Sequence, residues 1–138
     1  MGFDAGPPRE AEACALFNAD VSGEVRSYPR LRTVVLAARW TAYTSDADTA
    51  REVAQSLERT LGSLERAGKH VVVIAPGVDF PAPVPACIAR RGESACSLAR
   101  VDAEARRQRA LRTVQDVVSR HRGVVLLDPM ATLCDQAT

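Results

Sequence analysis

The sequence predicts an α/β domain built on a parallel sheet in a three-layer arrangement. Three β-branched, apolar runs at 33–38, 71–75 and 124–127 carry almost no polar residues. Such runs suit strands buried on both faces, as in parallel sheets. Amphipathic helical patterns separate the runs. The joints are short, so right-handed crossovers between neighbouring parallel strands are expected, with the strands side by side in chain order.

The 138 residues suffice for one domain with a real core. A hydrophobic content of 46% with 25% charged residues is ordinary for a soluble globular protein. Net charge is +1, so nothing global points to nucleic acid or an anionic membrane. No run approaches the ~20 apolar residues that span a bilayer. The opening MGFDAGPPREAEA lacks an apolar signal core, which taken literally places the chain in the cytoplasm.

Residues 1–8 are rich in Gly and Pro and are expected to be loose. Ala11, Cys14, Ala15, Phe17, Val21 and Val25 recur at near-helical spacing, predicting a helix over 9–27. Tyr28-Pro29 stops it and leads into the first strand. That strand ends in Arg39 and Trp40, the only tryptophan. Ligands of open α/β sheets bind beyond the carboxyl ends of the strands, which makes these two side chains pocket candidates. The alternative is structural: Trp40 covers the core rim and Arg39 pairs with a helix carboxylate.

Ser45, Asp46 and Asp48 are N-cap candidates for a helix over 47–67. Val53, Leu57, Leu61 and Leu64 form its apolar stripe, and Gly68 is placed to cap its end. The second strand, Val71 to Ala75, follows. Residues 76–97 form a proline-rich loop at a carboxyl end, where loops build substrate walls or make rigid surface excursions. A last helix over 97–121 is expected to turn Leu98, Val101, Ala105, Leu111, Val114 and Val118 inward. Its arginines are interrupted by Asp102, Glu104 and Asp116 and lack interleaved aromatics, so they read as a solvated face rather than a nucleic-acid stripe. Val124 to Leu127 is the third strand, closed by Asp128-Pro129.

No Gly-rich phosphate loop and no GxSxG elbow occurs. No cofactor is implied. Cys14, Cys87, Cys96 and Cys134 form no CxxC pair, so metal-ligand spacing is absent. A disulfide between Cys87 and Cys96 is open on these grounds, as are four free thiols. Asp128 follows a strand and either faces the carboxyl-end crevice or serves the turn.

Several segments together resemble one family. CALFNADV, VVLAARWTAY, RTLGSLERAGKHVVVIAPGVDFPAPVPACIARR and GVVLLDPMATLC, in that order over residues 7–134, resemble the SGNH domain fused to bacterial membrane acyltransferases of the acyltransferase-3 type. The resemblance implies a three-layer, flavodoxin-like (SGNH-hydrolase-like) parallel sheet, here incomplete, with residues 1–138 a partial domain. It implies a membrane acyltransferase domain that delivers the acyl group. It also implies an envelope glycan, such as lipopolysaccharide or peptidoglycan, that accepts it by O-acylation. The family's Gly-Asp-Ser-His block and D-x-x-H block do not occur in these 138 residues. No residue matches the nucleophile, acid or base, so the isolated chain is expected to be inactive. The ARW block stands where ordinary SGNH esterases carry an oxyanion block, which leaves Arg39 and Trp40 as pocket-lining candidates.

The resemblance further implies an extracytoplasmic, periplasmic setting for full-length relatives. There the Cys87–Cys96 bridge is favoured, and the partners of Cys14 and Cys134 are left open, with positions outside this stretch among them. In the family's strand order the nucleophile strand lies beside the ARW strand. Without it, Thr33 to Ala38 is expected to present an unpaired apolar edge that self-associates or is covered by the N-terminal segment. The competing expectation is a stand-alone, non-catalytic α/β binding or structural module.

Overall fold

A computed structural model describes residues 8–133. The three apolar runs form three strands: β1 (Thr33–Leu36), β2 (His70–Ile74) and β3 (Val124–Leu127). They pair in parallel in the order β1-β2-β3, with Val34 opposite Val71 and Val71 opposite Val124. Class, pairing and strand order are those expected from the sequence.

Helix α1 spans Pro8–Ser27, α2 Ala47–Arg66, α3 Val84–Arg91, α4 Arg100–Val118 and α5 Met130–Leu133. In α2, Asp46 accepts from the backbone N–H groups of Asp48 and Thr49, and the Thr49 hydroxyl accepts from the Asp46 N–H. This is a reciprocal capping box. The helix ends in a Schellman arrangement, Lys69 N–H to the Leu64 carbonyl and Gly68 N–H to the Glu65 carbonyl. Gly68 takes φ +70, which an L side chain adopts only with strain. Val53, Leu57, Leu61 and Leu64 are the buried residues of α2, as their spacing predicts.

With the strands running in one direction across the sheet, both right-handed crossovers place their helices on the same face. Accordingly α2 and α4 pack together over Val71 and Val73, with Val34, Leu36, Val124 and Leu126 at the margins. The alternating side chains point the other way. Val35 is 59% exposed, Val125 58% and Leu127 49%. Among the described residues this second face is left largely to solvent, with Val72 and Ile74 half-buried in its middle. The strand β1 is also an edge, paired with β2 alone.

Helix α1 covers the span expected from the spacing, with Phe17, Val21 and Cys14 exposed and Val25 packed against the core. The helix meets the domain mainly at its C-terminal half, so its periodic apolar residues find no partner surface. Two expectations are corrected. The proline-rich loop contains α3, where Pro85 occupies the first turn and costs no intrahelical bond. In α4 the buried set is Ala103, Arg107, Ala110, Val114, Val117 and Val118, so Val101 and Ala105 face solvent. Its phase is set by Arg107, which the sheet end draws inward. Pro8 lies in α1, whereas residues 1–7 and Cys134 lie outside the described residues.

Cys87 and Cys96 form a disulfide, with Cα atoms 5.9 Å apart. It ties α3 to the short 3-10 turn Ser94–Cys96, the element against which α3 packs. The only lysine, Lys69, is buried, and its ammonium donates to the carbonyls of Tyr28 and Leu31 at 2.8 Å each. It thereby sets the angle at which the chain enters β1.

Candidate functional site

The carboxyl ends of β1 and β2 open onto a groove of about 360 Å³. Residues 38–41 form one wall and residues 76–79 the other. Both walls leave the sheet at adjacent parallel strands, which is why residues 40 positions apart in sequence face each other.

Arg39 and Trp40 take different places in it. Arg39 is exposed and spans the groove to Asp79, its Nη2 2.9 Å and Nε 3.3 Å from the same carboxylate oxygen. The partner carboxylate comes from a loop rather than a helix. One oxygen of Asp79 accepts both bonds, so half of the guanidinium fork is left for another acceptor. Trp40 begins a 3-10 turn, Trp40–Tyr43, and is 1% exposed within the core cluster. Its Nε1 donates to the Ile74 carbonyl at 2.8 Å, fixing the end of β1 to the end of β2. Thr44 adds a hydroxyl bond to the Trp40 carbonyl at 3.0 Å.

Beneath the second wall lies a buried guanidinium. Arg107 donates from Nη1 to the Pro76 carbonyl at 2.9 Å, and from Nη1 and Nη2 to the two oxygens of Asp128 at 2.7 and 2.8 Å. Its Nε reaches Glu104 at 2.8 Å. Asp128 also accepts the Met130 N–H at 3.0 Å. The guanidinium hydrogen bonds hold the Asp128 carboxyl below the usual carboxylate range, and Asp128 in turn raises the basicity of Arg107. Arg107 therefore joins the exits of β2 and β3 to α4. Sequence reasoning missed it because a helix arginine reads as solvated. The available signal was its place in the Ala103–Ala110–Val114–Val117 stripe, three residues after Glu104.

Both histidines lie at the opposite end of the sheet. His70 opens β2, and His121 precedes β3. His121 contacts Glu65 through Nδ1 at 2.6 Å and Glu58 through Nε2 at 3.0 Å, and Glu58 is further held by Arg120 at 2.7 Å. The Arg120 bond, with His121 adding to it, lowers the Glu58 carboxyl from its ordinary value. This cluster staples α2 to the turn before β3. Neither His70 nor His121 reaches the groove. Among the described residues no group of His, Cys, Asp and Glu is placed to hold a metal ion. Among them, too, no helix is long and apolar enough to cross a membrane.

The family model for the SGNH domain (fused to AT3 domains) matches residues 2–138. No curated protein and no solved structure matches the chain.

Proposed function

The chain belongs to the family of SGNH domains fused to AT3 domains, and on that premise we propose that it forms part of an acyl-transfer module acting on cell-envelope glycans. An AT3 membrane domain supplies the acyl group, and the groove at the ends of β1 and β2 receives the acceptor or the acyl unit. The observation that carries this is the groove itself, which lies where open α/β sheets bind ligands and offers a half-free guanidinium. In it Arg39 contacts an acceptor oxygen. Trp40, from beneath, positions the wall that Arg39 stands on. The Cys87–Cys96 bridge supports an oxidising, extracytoplasmic compartment.

These 138 residues do not turn over ester by themselves. They lack the Gly-Asp-Ser-His and D-x-x-H blocks, and both histidines lie at the far end of the sheet. The unpaired edge of β1 and the bare face beside it are where the chain associates with itself or with further polypeptide. The test combines two assays on the 138-residue chain. Hydrolysis of an activated acetyl ester is expected at the background rate, and turnover abolished by a serine-directed inhibitor would refute the inactivity. Titration with O-acetylated and unacetylated glycan fragments, followed by amide NMR, is expected to shift residues 38–41 and 76–79. The Arg39→Ala variant should lose those shifts.

The alternative is a non-catalytic binding or structural module of the same descent. The separation of the histidines from the groove favours it. Binding without turnover, unchanged when the AT3 domain is supplied with an acyl donor, would establish it.

A further inference from the structure

The carboxyl-end groove carries one charge of each sign. Of the side chains that line it only Arg39 and Asp79 are charged, and they meet from opposite walls. The groove lies between the two paired strands β1 and β2, so it owes nothing to the unpaired edge of β1. The pairing across it is one-sided. Arg39 Nη2 and Nε donate to a single oxygen of Asp79, at 2.9 and 3.3 Å. The second Asp79 oxygen and Arg39 Nη1 make no hydrogen bond among the described residues. The pair therefore presents an open acceptor next to open donors. Apart from the Thr41 hydroxyl, the rest of the lining is small or apolar, with Pro76, Gly77 and Val78 on one wall and Ala38 on the other. The Trp40 indole is buried beneath and donates its N–H to the Ile74 carbonyl, so it offers the groove neither a stacking face nor a donor.

We propose that Arg39 and Asp79 together clamp two adjacent hydroxyls of a neutral sugar ring. One hydroxyl oxygen accepts from the free guanidinium N–H groups. The hydroxyl on the neighbouring ring carbon donates to the free Asp79 oxygen. Charge decides the class. A carboxylate or phosphate on the ligand meets the Asp79 carboxylate beside the guanidinium, and an ammonium meets Arg39. A pair of neutral hydroxyls satisfies both partners through charge-assisted bonds and leaves the ion pair in place. An acyl unit offers a carbonyl to Arg39 but no donor to Asp79. The inference rests on the reading of the groove as part of an acyl-transfer module and narrows it. The groove takes the glycan acceptor rather than the acyl unit, and Asp79 sets the preference for a neutral ring.

The test titrates the 138-residue chain with trans-1,2-cyclohexanediol, trans-1,4-cyclohexanediol, methyl glucoside and inorganic phosphate, followed by amide NMR. The two diols share one ring and one hydroxyl count, so adjacency alone separates them. The 1,2-diol and methyl glucoside are expected to shift residues 38–41 and 76–79 to saturation, with the 1,4-diol at least roughly fivefold weaker. Phosphate should bind more weakly than methyl glucoside. Asp79→Asn keeps the shape and removes the negative charge, so methyl glucoside should weaken by roughly fivefold while phosphate, facing an unopposed Arg39, binds more tightly than before. A purely structural role for Asp79 would not produce that reversal. Arg39→Lys keeps the charge without the fork and should also weaken methyl glucoside. Arg39 is exposed and Asp79 half-buried, and the melting temperature of each variant checks its fold.

Equal affinity for the two diols would overturn the clamp and leave the groove an acyl-transfer site. So would phosphate binding more tightly than methyl glucoside to the unaltered chain, or an Asp79→Asn variant that keeps its affinity for methyl glucoside. Absence of groove shifts with every diol, glycoside and glycan fragment would overturn the clamp and the proposed function together. Saturable, adjacency-dependent diol binding in a chain whose AT3 partner transfers no acyl group would overturn the proposed function and support the clamp.

Discussion

Replacing Arg107 with alanine is expected to destabilise the domain by about 3 kcal/mol, because one guanidinium holds three parts of the fold together. The Asp128 pair is bidentate, with bonds of 2.7 and 2.8 Å, but the Asp128 side chain is 34% exposed. Its loss therefore costs about 1.5 kcal/mol, at the low end for charged hydrogen bonds, since the freed carboxylate regains water. The Glu104 bond joins residues three apart on a helix, with Glu104 38% exposed, and is worth about 0.5 kcal/mol. The Pro76 carbonyl loses its donor in a buried place, at about 1 kcal/mol. Urea unfolding at pH 7 measures the sum. Arg107→Lys keeps the charge but not the fork, and is expected to recover less than half.

The effect also depends on pH. The Asp128 carboxyl is depressed in the folded chain, so its contribution is present above its unfolded value near ~3.9 and is lost as pH falls through the folded value. The cost of Arg107→Ala should therefore shrink below about pH 4. Arg107→Ala in an Asp128→Asn background should show less than the sum of the two single effects. A loss under ~1 kcal/mol at pH 7, or strict additivity with Asp128→Asn, would refute the assignment of Arg107 as the joint between the sheet ends.

Three further outcomes are expected. Reducing Cys87–Cys96, which closes a short loop, removes ~2–3 kcal/mol in the chain-entropy model; because α3 packs mainly on the bridged turn, the loss is local, and it is read as faster trypsin cleavage at Arg90 and Arg91 with little change in global melting. Trp40→Phe leaves the Ile74 carbonyl without its indole donor and costs about 1–3 kcal/mol, whereas Trp40→Ala costs about 3–5 kcal/mol, measured by urea unfolding; equal costs would show that the hydrogen bond carries the whole effect. The chain self-associates at micromolar concentration through its bare sheet face and edge, and Val35→Lys/Val125→Lys suppresses this without lowering the melting temperature, as light scattering and thermal scans will show; a monomer at every concentration would contradict it.

Local chemistry made much of this protein legible from its sequence. The three strands, their parallel order and the α2 helix with its cap at Asp46, its stripe from Val53 to Leu64 and its stop at Gly68 follow from periodicity and capping, which act within a few residues. The segments that resemble the SGNH family carried the Cys87–Cys96 pairing, which four cysteines without alignment leave open. What only the tertiary structure decided are matters of long range. Phe17 sits in a regular apolar pattern yet faces solvent, because an amphipathic helix buries its stripe only where a partner surface exists. Val101 was displaced from the core by Arg107, since a guanidinium with carboxylates and a carbonyl waiting at the ends of β2 and β3 is drawn inward and sets the helix phase. Trp40 and Arg39 are adjacent in sequence but separate in role, because the turn at the strand exit sends the indole down to the Ile74 carbonyl and the guanidinium out to Asp79. The bare second face of the sheet arises because two crossovers of one hand, made in one direction, place both helices on the same side.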